Sequence, residues 1–232
     1  MICSLTNERL LDYVINQLNT FFPDENDISK ELIRHSFDIA LKRLEFCFRP
    51  IKIPGYKKDG ETYFNHLHTD QYTQFLYFLG NQIWLDGGDE KICSKLVNLI
   101  RIISGMFVTY KCKLPKIFVF YHAVGSVIGN ADYSDYLVVF QNVTINTALD
   151  QNGETAPKIG KGVFFGTGAK LIGNQSIGDR VSIGANVCIY NQKIPADAVV
   201  TNENNKITIR KRKKKECLVQ QFFLDKIWDD IC

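Results

Sequence analysis

The amino-acid sequence predicts an α+β protein, with a helical N-terminal domain, a parallel β-helix and a short C-terminal tail. In the C-terminal half, apolar residues recur six positions apart. The series is Ile159, Phe165, Leu171, Ile177, Ile183 and Ile189, followed five residues later by Ile194, and the six-residue spacing also appears upstream at Val127, Tyr133, Val139 and Ile145. Such a short repeat is typical of a β-helix, because each unit adds one strand and one turn. The first half has the helical spacing instead.

The N-terminal half contains signals for four helices. Thr6 is a candidate cap for the first, which should end before Pro23, and the second is expected from about residue 28 to 48. The polar, turn-rich segment from Pro54 to Tyr63 predicts a loop.

The other two helices follow that loop. Thr69 and Asp70 are candidate caps for the third helix, and the fourth is expected from Glu90 to about Tyr110. Together the four helices predict an N-terminal domain of about 110 residues whose role is to cover the β-helix.

The change of period near Leu114 and Pro115 marks a domain boundary. We therefore expect a helical domain over residues 1–112, a β-helix over 113–200 and a tail over 201–232. Between Ile145 and Ile159 the spacing is fourteen, so an extra loop centred on Thr147 to Ala156 should leave the coil. The tail contains a basic run, and residues 217–228 can form a short amphipathic helix.

Composition excludes several classes of protein. The net charge is only +3, and seven basic residues lie in one segment, at Lys206 and at 210–215, which indicates a local patch and not a nucleic-acid-binding chain. The seven cysteines form no CxxC pair, so neither a disulfide framework nor a zinc site is expected. With no signal-peptide pattern and no apolar run long enough for a membrane span, we expect a cytoplasmic protein.

Four segments carry a resemblance to a known family: HAVGSVIG from His122, VVFQNVTIN from Val138, PKIGKGVFFGTGAKLIGN from Pro157 and SIGDRVSIGANVCIY from Ser176. They resemble the hexapeptide-repeat acyltransferases, in particular the serine acetyltransferase branch. The resemblance implies a left-handed β-helix, a homotrimer, acetyl-CoA as donor and a catalytic base at His122. Transfer to a hydroxyl needs such a base, because an alcohol is a weak nucleophile until its proton is being removed.

A carboxylate often orients a catalytic histidine. The serine acetyltransferases have an aspartate one coil upstream for this purpose, but residues 107–116 of this chain contain no acid. Asp70, Asp132 and Asp135 are alternatives, and a helix cap or a solvated turn is the ordinary role of such residues. A missing carboxylate also leaves open a catalytically idle trimeric homologue.

Two departures from the family bear on the acceptor. Tyr121 stands where the family has an aspartate, and Thr155 with Ala156 replaces an arginine–histidine pair. In the family these residues grip an amino acid, so their loss favours a sugar or polysaccharide hydroxyl over serine, which is the alternative. His68 and Asp70 are further candidates for contacting the acceptor, or are surface residues near a helix cap.

The donor is expected along small residues of the late coils, by analogy with the family. The matching positions are Gly166, Thr167, Gly168, Gly184 and Ala185, where small residues are equally explained by tight coiling. Lys206 and the basic run can meet nucleotide phosphates or form a solvated tail. No metal is expected, because the β-helix zinc enzymes use three converging histidines and this β-helix has one.

Overall fold

The structure is a computed structural model that describes residues 1–25, 27–145, 157–204 and 206–227. The chain divides into two compact units. Residues 1–49 and 53–111 form the first, here called the helical unit, and residues 50–52 and 112–232 belong to the second, the solenoid unit. No helix of the described residues combines the length and the apolar character that crossing a membrane requires.

The helical unit contains four helices and several short strands within its described residues. In chain order they are β1 (Ile2–Cys3), α1 (Asn7–Phe21), α2 (Lys30–Phe48), β2 (Lys57–Lys58), β3 (Glu61–Phe64), α3 (Thr69–Leu85), α4 (Glu90–Ser104) and β4 (Phe107–Val108). Helix α3 is the centre of this unit, with every residue from Gln71 to Ile83 buried. Several of its polar side chains are hydrogen-bonded; the Arg43 guanidinium, for example, donates to Asn81 Oδ1 at 2.8 Å.

The helix ends follow local chemistry. The hydroxyl of Thr6 caps α1 as predicted, accepting a hydrogen bond from Arg9 N at 3.3 Å. Helix α4 ends six residues before the predicted Tyr110, because Gly105 takes a left-handed conformation (φ 65°) that closes the helix. The cap of α3 is His68, so Thr69 and Asp70 lie in its first turn instead of capping it.

The predicted loop from Pro54 to Tyr63 is wrong, since this segment contains a β-hairpin. Strand β2 pairs antiparallel with β3, and β1 adds in parallel on the other side. Asp59 and Gly60 connect the two strands with φ values of 52° and 81°. An Asp-Gly pair with two positive φ angles is the favoured two-residue hairpin connection, so the sequence did contain this signal.

The solenoid unit consists of short strands separated by turns. They are β5 (Phe118–Phe120), β6 (Val127–Ile128), β7 (Asp132–Tyr133), β8 (Leu137–Val139), β9 (Thr144–Ile145), β10 (Lys158–Ile159), β11 (Phe164–Phe165), β12 (Lys170–Ile172), β13 (Ser182–Ile183), β14 (Cys188–Tyr190), β15 (Ala198–Glu203) and β16 (Lys206–Lys211). Almost all pair in parallel with the strand one coil away, which makes the unit a parallel β-helix.

The strands form three faces. The first face consists of β5, β8, β11, β13 and β15, and the second of β6, β9, β12 and β14. On the third face, β7 pairs with β10, and bridges continue the column through Ile177 and Ile194. One strand position from each face makes one coil, so coil 1 begins at β5, coil 2 at β8, coil 3 at β11 and coil 4 at β13.

The predicted six-residue series occupies the interior of these coils. Val139, Phe165 and Ile183 align on the first face, and Ile145, Leu171 and Ile189 align on the second, all fully buried. Val127 is the exception. Ile128, not Val127, aligns with Ile145 and is buried, because only five residues separate it from Tyr133, which aligns with Ile159 on the third face and is half-buried.

The segment predicted as a basic tail is largely structured. Strands β15 and β16 form an antiparallel hairpin at the edge of the first face. Asp197 receives hydrogen bonds from Arg180 Nε at 2.9 Å and from Arg212. The Arg180 hydrogen bond lowers the pKa of the Asp197 carboxyl, so it is ionised and holds the start of the hairpin to the coil above.

The predicted amphipathic helix over 217–228 is wrong for its described part. Only Leu218–Gln221 forms a short 3-10 turn, and Phe223 then bridges antiparallel to Ile51. The Gln220 side chain explains the departure. Its amide nitrogen donates to Phe223 O at 2.9 Å and its oxygen accepts from Ile227 N at 3.1 Å, which fixes an irregular loop.

Candidate functional site

The candidate site lies at the turns that join the first face to the second, here called corner 1. It comprises residues 121–126 in coil 1, 140–143 in coil 2, 166–169 in coil 3 and 184–187 in coil 4. The strand registers on both sides align Val124 with Gln141, Thr167 and Ala185. Ladder hydrogen bonds agree, with Asn142 N donating to Val124 O and Gly168 N donating to Gln141 O, both at 2.9 Å.

His122 stands on a two-residue bulge in corner 1. From β5 to β6 the chain uses two more residues than the aligned stretch from β8 to β9, and the extra pair is His122–Ala123. His122 takes a positive φ of 49° and its carbonyl accepts from Val124 N at 2.7 Å. Ala123 is buried while the His122 side chain is exposed. The bulge therefore turns the imidazole out of a coil whose other residues follow the repeat.

Tyr121 lies beside this bulge in a cluster of aromatic rings. Its ring centroid is 4.4 Å from that of His122 and 5.0 Å from that of Phe140, on which it stacks. Phe222, from the C-terminal segment, packs edge-on against Tyr121 at 5.5 Å and also contacts Phe164. The Tyr121 ring thus has a packing role next to the imidazole. Sequence reasoning missed Phe222, because only the fold brings residue 222 to residue 121.

The predicted donor residues lie in the same column as His122. Gly166, Thr167 and Gly168 form corner 1 of coil 3, and Gly184 and Ala185 follow one coil further on. Thr167 is half-buried and Ala185 is exposed. Tight stacking also requires small residues here, since a Cβ on Gly166 would lie 2.9 Å from Ile183 O. The spacing between neighbouring strands, about 4.8 Å, puts Ala185 roughly 14 Å along the column from the bulge.

Lys206 begins β16, opposite Glu203 in the hairpin. On the first face Val200 aligns with Ile183, where coil 4 is about to turn at corner 1. Strand β15 does not turn there and runs on for three residues to Glu203. The hairpin therefore extends Lys206 past the end of the corner 1 column.

The predicted acceptor residues fall in different parts of the chain. His68 and Asp70 belong to the helical unit, where His68 Nδ1 is buried without a hydrogen-bond partner among the described residues. Nearby, His66 has a structural role, since its Nδ1 lies 2.7 Å from Ser4 Oγ and its backbone N donates to the same hydroxyl. Thr155 and the loop predicted at 147–156 lie outside the described residues.

The candidate carboxylates of the solenoid unit are not gathered around His122. Asp135 Oδ1 accepts from Ile117 N at 2.9 Å and so closes the turn before the first face. One strand separates that turn from corner 1, and the chain from Ile117 to Tyr121 spans about 13 Å at roughly 3.3 Å per residue. Asp132 is exposed on the third face. Within the ranges that the structure describes, no group of three or more metal-ligating side chains is suited to hold an ion.

Curated relatives resemble much of this chain. It is 31% identical over 116 residues to a serine acetyltransferase of Synechococcus elongatus, a match that covers 50% of this chain and 47% of the relative. With a serine acetyltransferase of Haemophilus influenzae the identity is 26% over 164 residues, or 70% of this chain and 59% of the relative. The chain thus spans about half the length of the curated relatives it matches. No family model matches the sequence.

Solved structures share the fold over most of the chain. A serine acetyltransferase of Neisseria gonorrhoeae has a TM-score of 0.68 at 20% identity and covers 90% of this chain, with 82% of its own length matched. The same enzyme in complex with serine has a TM-score of 0.65 at 20% identity and covers 87% of this chain, with 84% of its own length matched. A serine acetyltransferase in complex with CoA has a TM-score of 0.64 at 20% identity and also covers 87% of this chain, with 84% of its own length matched. The fold is therefore the left-handed β-helix fold of these proteins.

Proposed function

We propose that this chain, a serine acetyltransferase-like member of the hexapeptide-repeat acyltransferases, transfers an acetyl group from acetyl-CoA to a hydroxyl group, with His122 as general base. The observation that carries the proposal is the bulge in corner 1. It exposes the imidazole at one end of a column of small residues, Gly166 to Gly168 and Gly184 to Ala185. An extended thioester donor fits along such a column with its acetyl group near the histidine.

The proposed reaction requires a base, a donor and a hydrogen-bond donor for the oxyanion, placed around the acceptor hydroxyl. The His122 imidazole takes the proton of the acceptor hydroxyl as its oxygen attacks the thioester carbonyl. Collapse of the tetrahedral species breaks the carbon–sulfur bond, and the imidazolium returns the proton to the leaving thiolate. The donor supplies the activated acyl group, and a backbone N–H is the expected stabiliser of the oxyanion. Lys206, at the end of the column, is proposed to meet the donor's phosphates.

For the acceptor, the comparisons favour serine over the saccharide that the sequence suggested. The curated relatives are named serine acetyltransferases, and one solved neighbour is a complex with serine. A saccharide hydroxyl stays as the second candidate because of Tyr121. Its side chain is an aromatic ring packed against Phe140 and Phe222, and it has no carboxylate to pair with an amino acid's ammonium group. His68, Asp70 and Thr155 remain proposed acceptor contacts, and a homotrimer is the proposed assembly.

An acceptor panel tests the proposal. Free thiol release from acetyl-CoA should be followed with serine, simple sugars, nucleotide sugars and oligosaccharides, and donor binding should be followed by the rise in melting temperature. We expect acetyl-CoA to raise the melting temperature and serine to be turned over. Turnover of saccharides alone would select the second candidate. If millimolar acetyl-CoA causes no thermal shift and no acceptor gives thiol release, the chain is an idle homologue and the proposal is refuted.

A further inference from the structure

Ser126 differs from its counterparts in the solenoid. At corner 1 it aligns with Val143, Ala169 and Val187, which are all apolar and buried. Ser126 is as deeply buried as they are, with 0% of its surface exposed. Burial of a hydroxyl in such a place destabilises the fold unless the hydroxyl both donates and accepts a hydrogen bond. Its hydrogen bonds therefore indicate what it does there.

The Ser126 hydroxyl is inserted into the turn of the next coil. In coils 3 and 4 the corner 1 turn closes directly, with Ala169 N donating to Gly166 O at 3.0 Å and Val187 N donating to Gly184 O at 3.4 Å. In coil 2 the corresponding amide, Val143 N, donates to Ser126 Oγ at 3.0 Å. That hydroxyl in turn donates to Phe140 O at 2.9 Å. Two bonds in series span roughly 4 to 5 Å, so the turn of coil 2 is held wider than those below it.

Ser126 also contacts the bulge itself. Its backbone N donates to Ala123 O at 3.2 Å, which closes the turn that contains His122 and Ala123. One residue thus joins the bulge of coil 1 to the widened turn of coil 2. Phe140, whose carbonyl accepts from the hydroxyl, also carries the ring on which Tyr121 stacks.

We propose that Ser126 is a positioning residue for His122: its buried hydroxyl holds the coil 2 turn open beneath the His122–Ala123 bulge and thereby sets the direction of the imidazole. The catalytic part of this inference rests on the proposed function. The positional part does not, because it concerns only where the imidazole lies. Ser126 contacts neither donor nor acceptor in this account and acts through the backbone.

Removal of the hydroxyl should leave the fold intact. In Ser126→Ala, Val143 N and Phe140 O can bond directly, as their counterparts do in coils 3 and 4, so neither group is left unpaired. The turn would then tighten and the bulge above it would shift. Because a small displacement of a catalytic group lowers the reaction rate, we expect kcat to fall about tenfold to a hundredfold with an unchanged KM for acetyl-CoA. A role in folding alone would lower the melting temperature and leave kcat unchanged.

The controls use matched residues. Ser126→Thr keeps the hydroxyl, and Ser126→Val introduces a side chain of the same shape as threonine without the hydroxyl. The threonine variant should therefore be more active than the valine variant. Ser104 bonds in the same way in the helical unit, donating to Ile100 O and accepting from Met106 N. Ser104→Ala should lower the melting temperature without changing kcat.

A second measurement does not depend on activity. The imidazole resonances of the four histidines can be observed by NMR, with the His122 signal assigned by its loss in His122→Ala. Ser126→Ala should shift that signal and leave the other three unchanged. If wild-type protein releases no thiol but the His122 signal shifts, the proposed function fails and the positional inference stands. An unmoved His122 signal, or kcat values equal in Ser126→Ala and wild type, would overturn the inference.

Discussion

Replacing His122 with alanine is expected to lower kcat for acetyl transfer by about two to four orders of magnitude, the usual contribution of general base catalysis. Donor affinity should be preserved, because the proposed donor column lies in the following coils. The measurement is the rate of thiol release at saturating acetyl-CoA and acceptor. The rise in melting temperature with acetyl-CoA should be recorded for each variant.

The matched control for this prediction is His35→Ala, since His35 is an exposed histidine on α2. It should retain wild-type kcat. A His122→Ala variant that is as active as wild type would show that another group removes the proton. A variant that has lost both activity and the thermal shift would indicate that His122 is required for donor binding instead.

Replacing Phe165 with alanine is expected to lower the free energy of unfolding by about 3 to 5 kcal/mol, the range for removing a large aromatic side chain from a core. Phe165 is fully buried and lies between Val139 in the coil before it and Ile183 in the coil after it. Because the interior of the coil is narrow and closely packed, its neighbours have little freedom to fill the cavity.

Urea unfolding followed by circular dichroism measures this effect. The control is Phe46→Ala, since Phe46 is 46% exposed on α2 and should lose far less stability. Equal losses in the two variants would contradict the assignment of the six-residue series to the interior of the solenoid.

The repeat was predictable because it follows from geometry. In every coil a side chain at the same position of each face lies in the interior, which imposes a fixed spacing on the apolar residues, as in the column of Val139, Phe165 and Ile183. The prediction at Val127 fails for an equally local reason. Ile128 aligns with Ile145 and Tyr133 with Ile159, so these two inward residues are five positions apart instead of six, and a fixed period places the first of them one position too early.

Other features depend on contacts between distant residues. Phe222 reaches Tyr121 only because residues 222–224 pair with 50–52, and no local pattern in the C-terminal segment signals this pairing. The apolar spacing of this segment predicts a helix, but the Gln220 side chain replaces helical hydrogen bonds with its own. Ser126 was overlooked because a lone serine in a repeat has no significance until its hydrogen bonds are known.

We propose that acetyl-CoA lies along corner 1 with its acetyl group at His122. Hydrogen exchange of the backbone amides, with and without saturating acetyl-CoA, tests this claim most directly. We predict that the donor slows exchange in the segments 121–126, 166–169 and 184–187. Unchanged exchange in all three segments, under conditions where acetyl-CoA raises the melting temperature, would contradict the claim, because the donor would then be bound elsewhere.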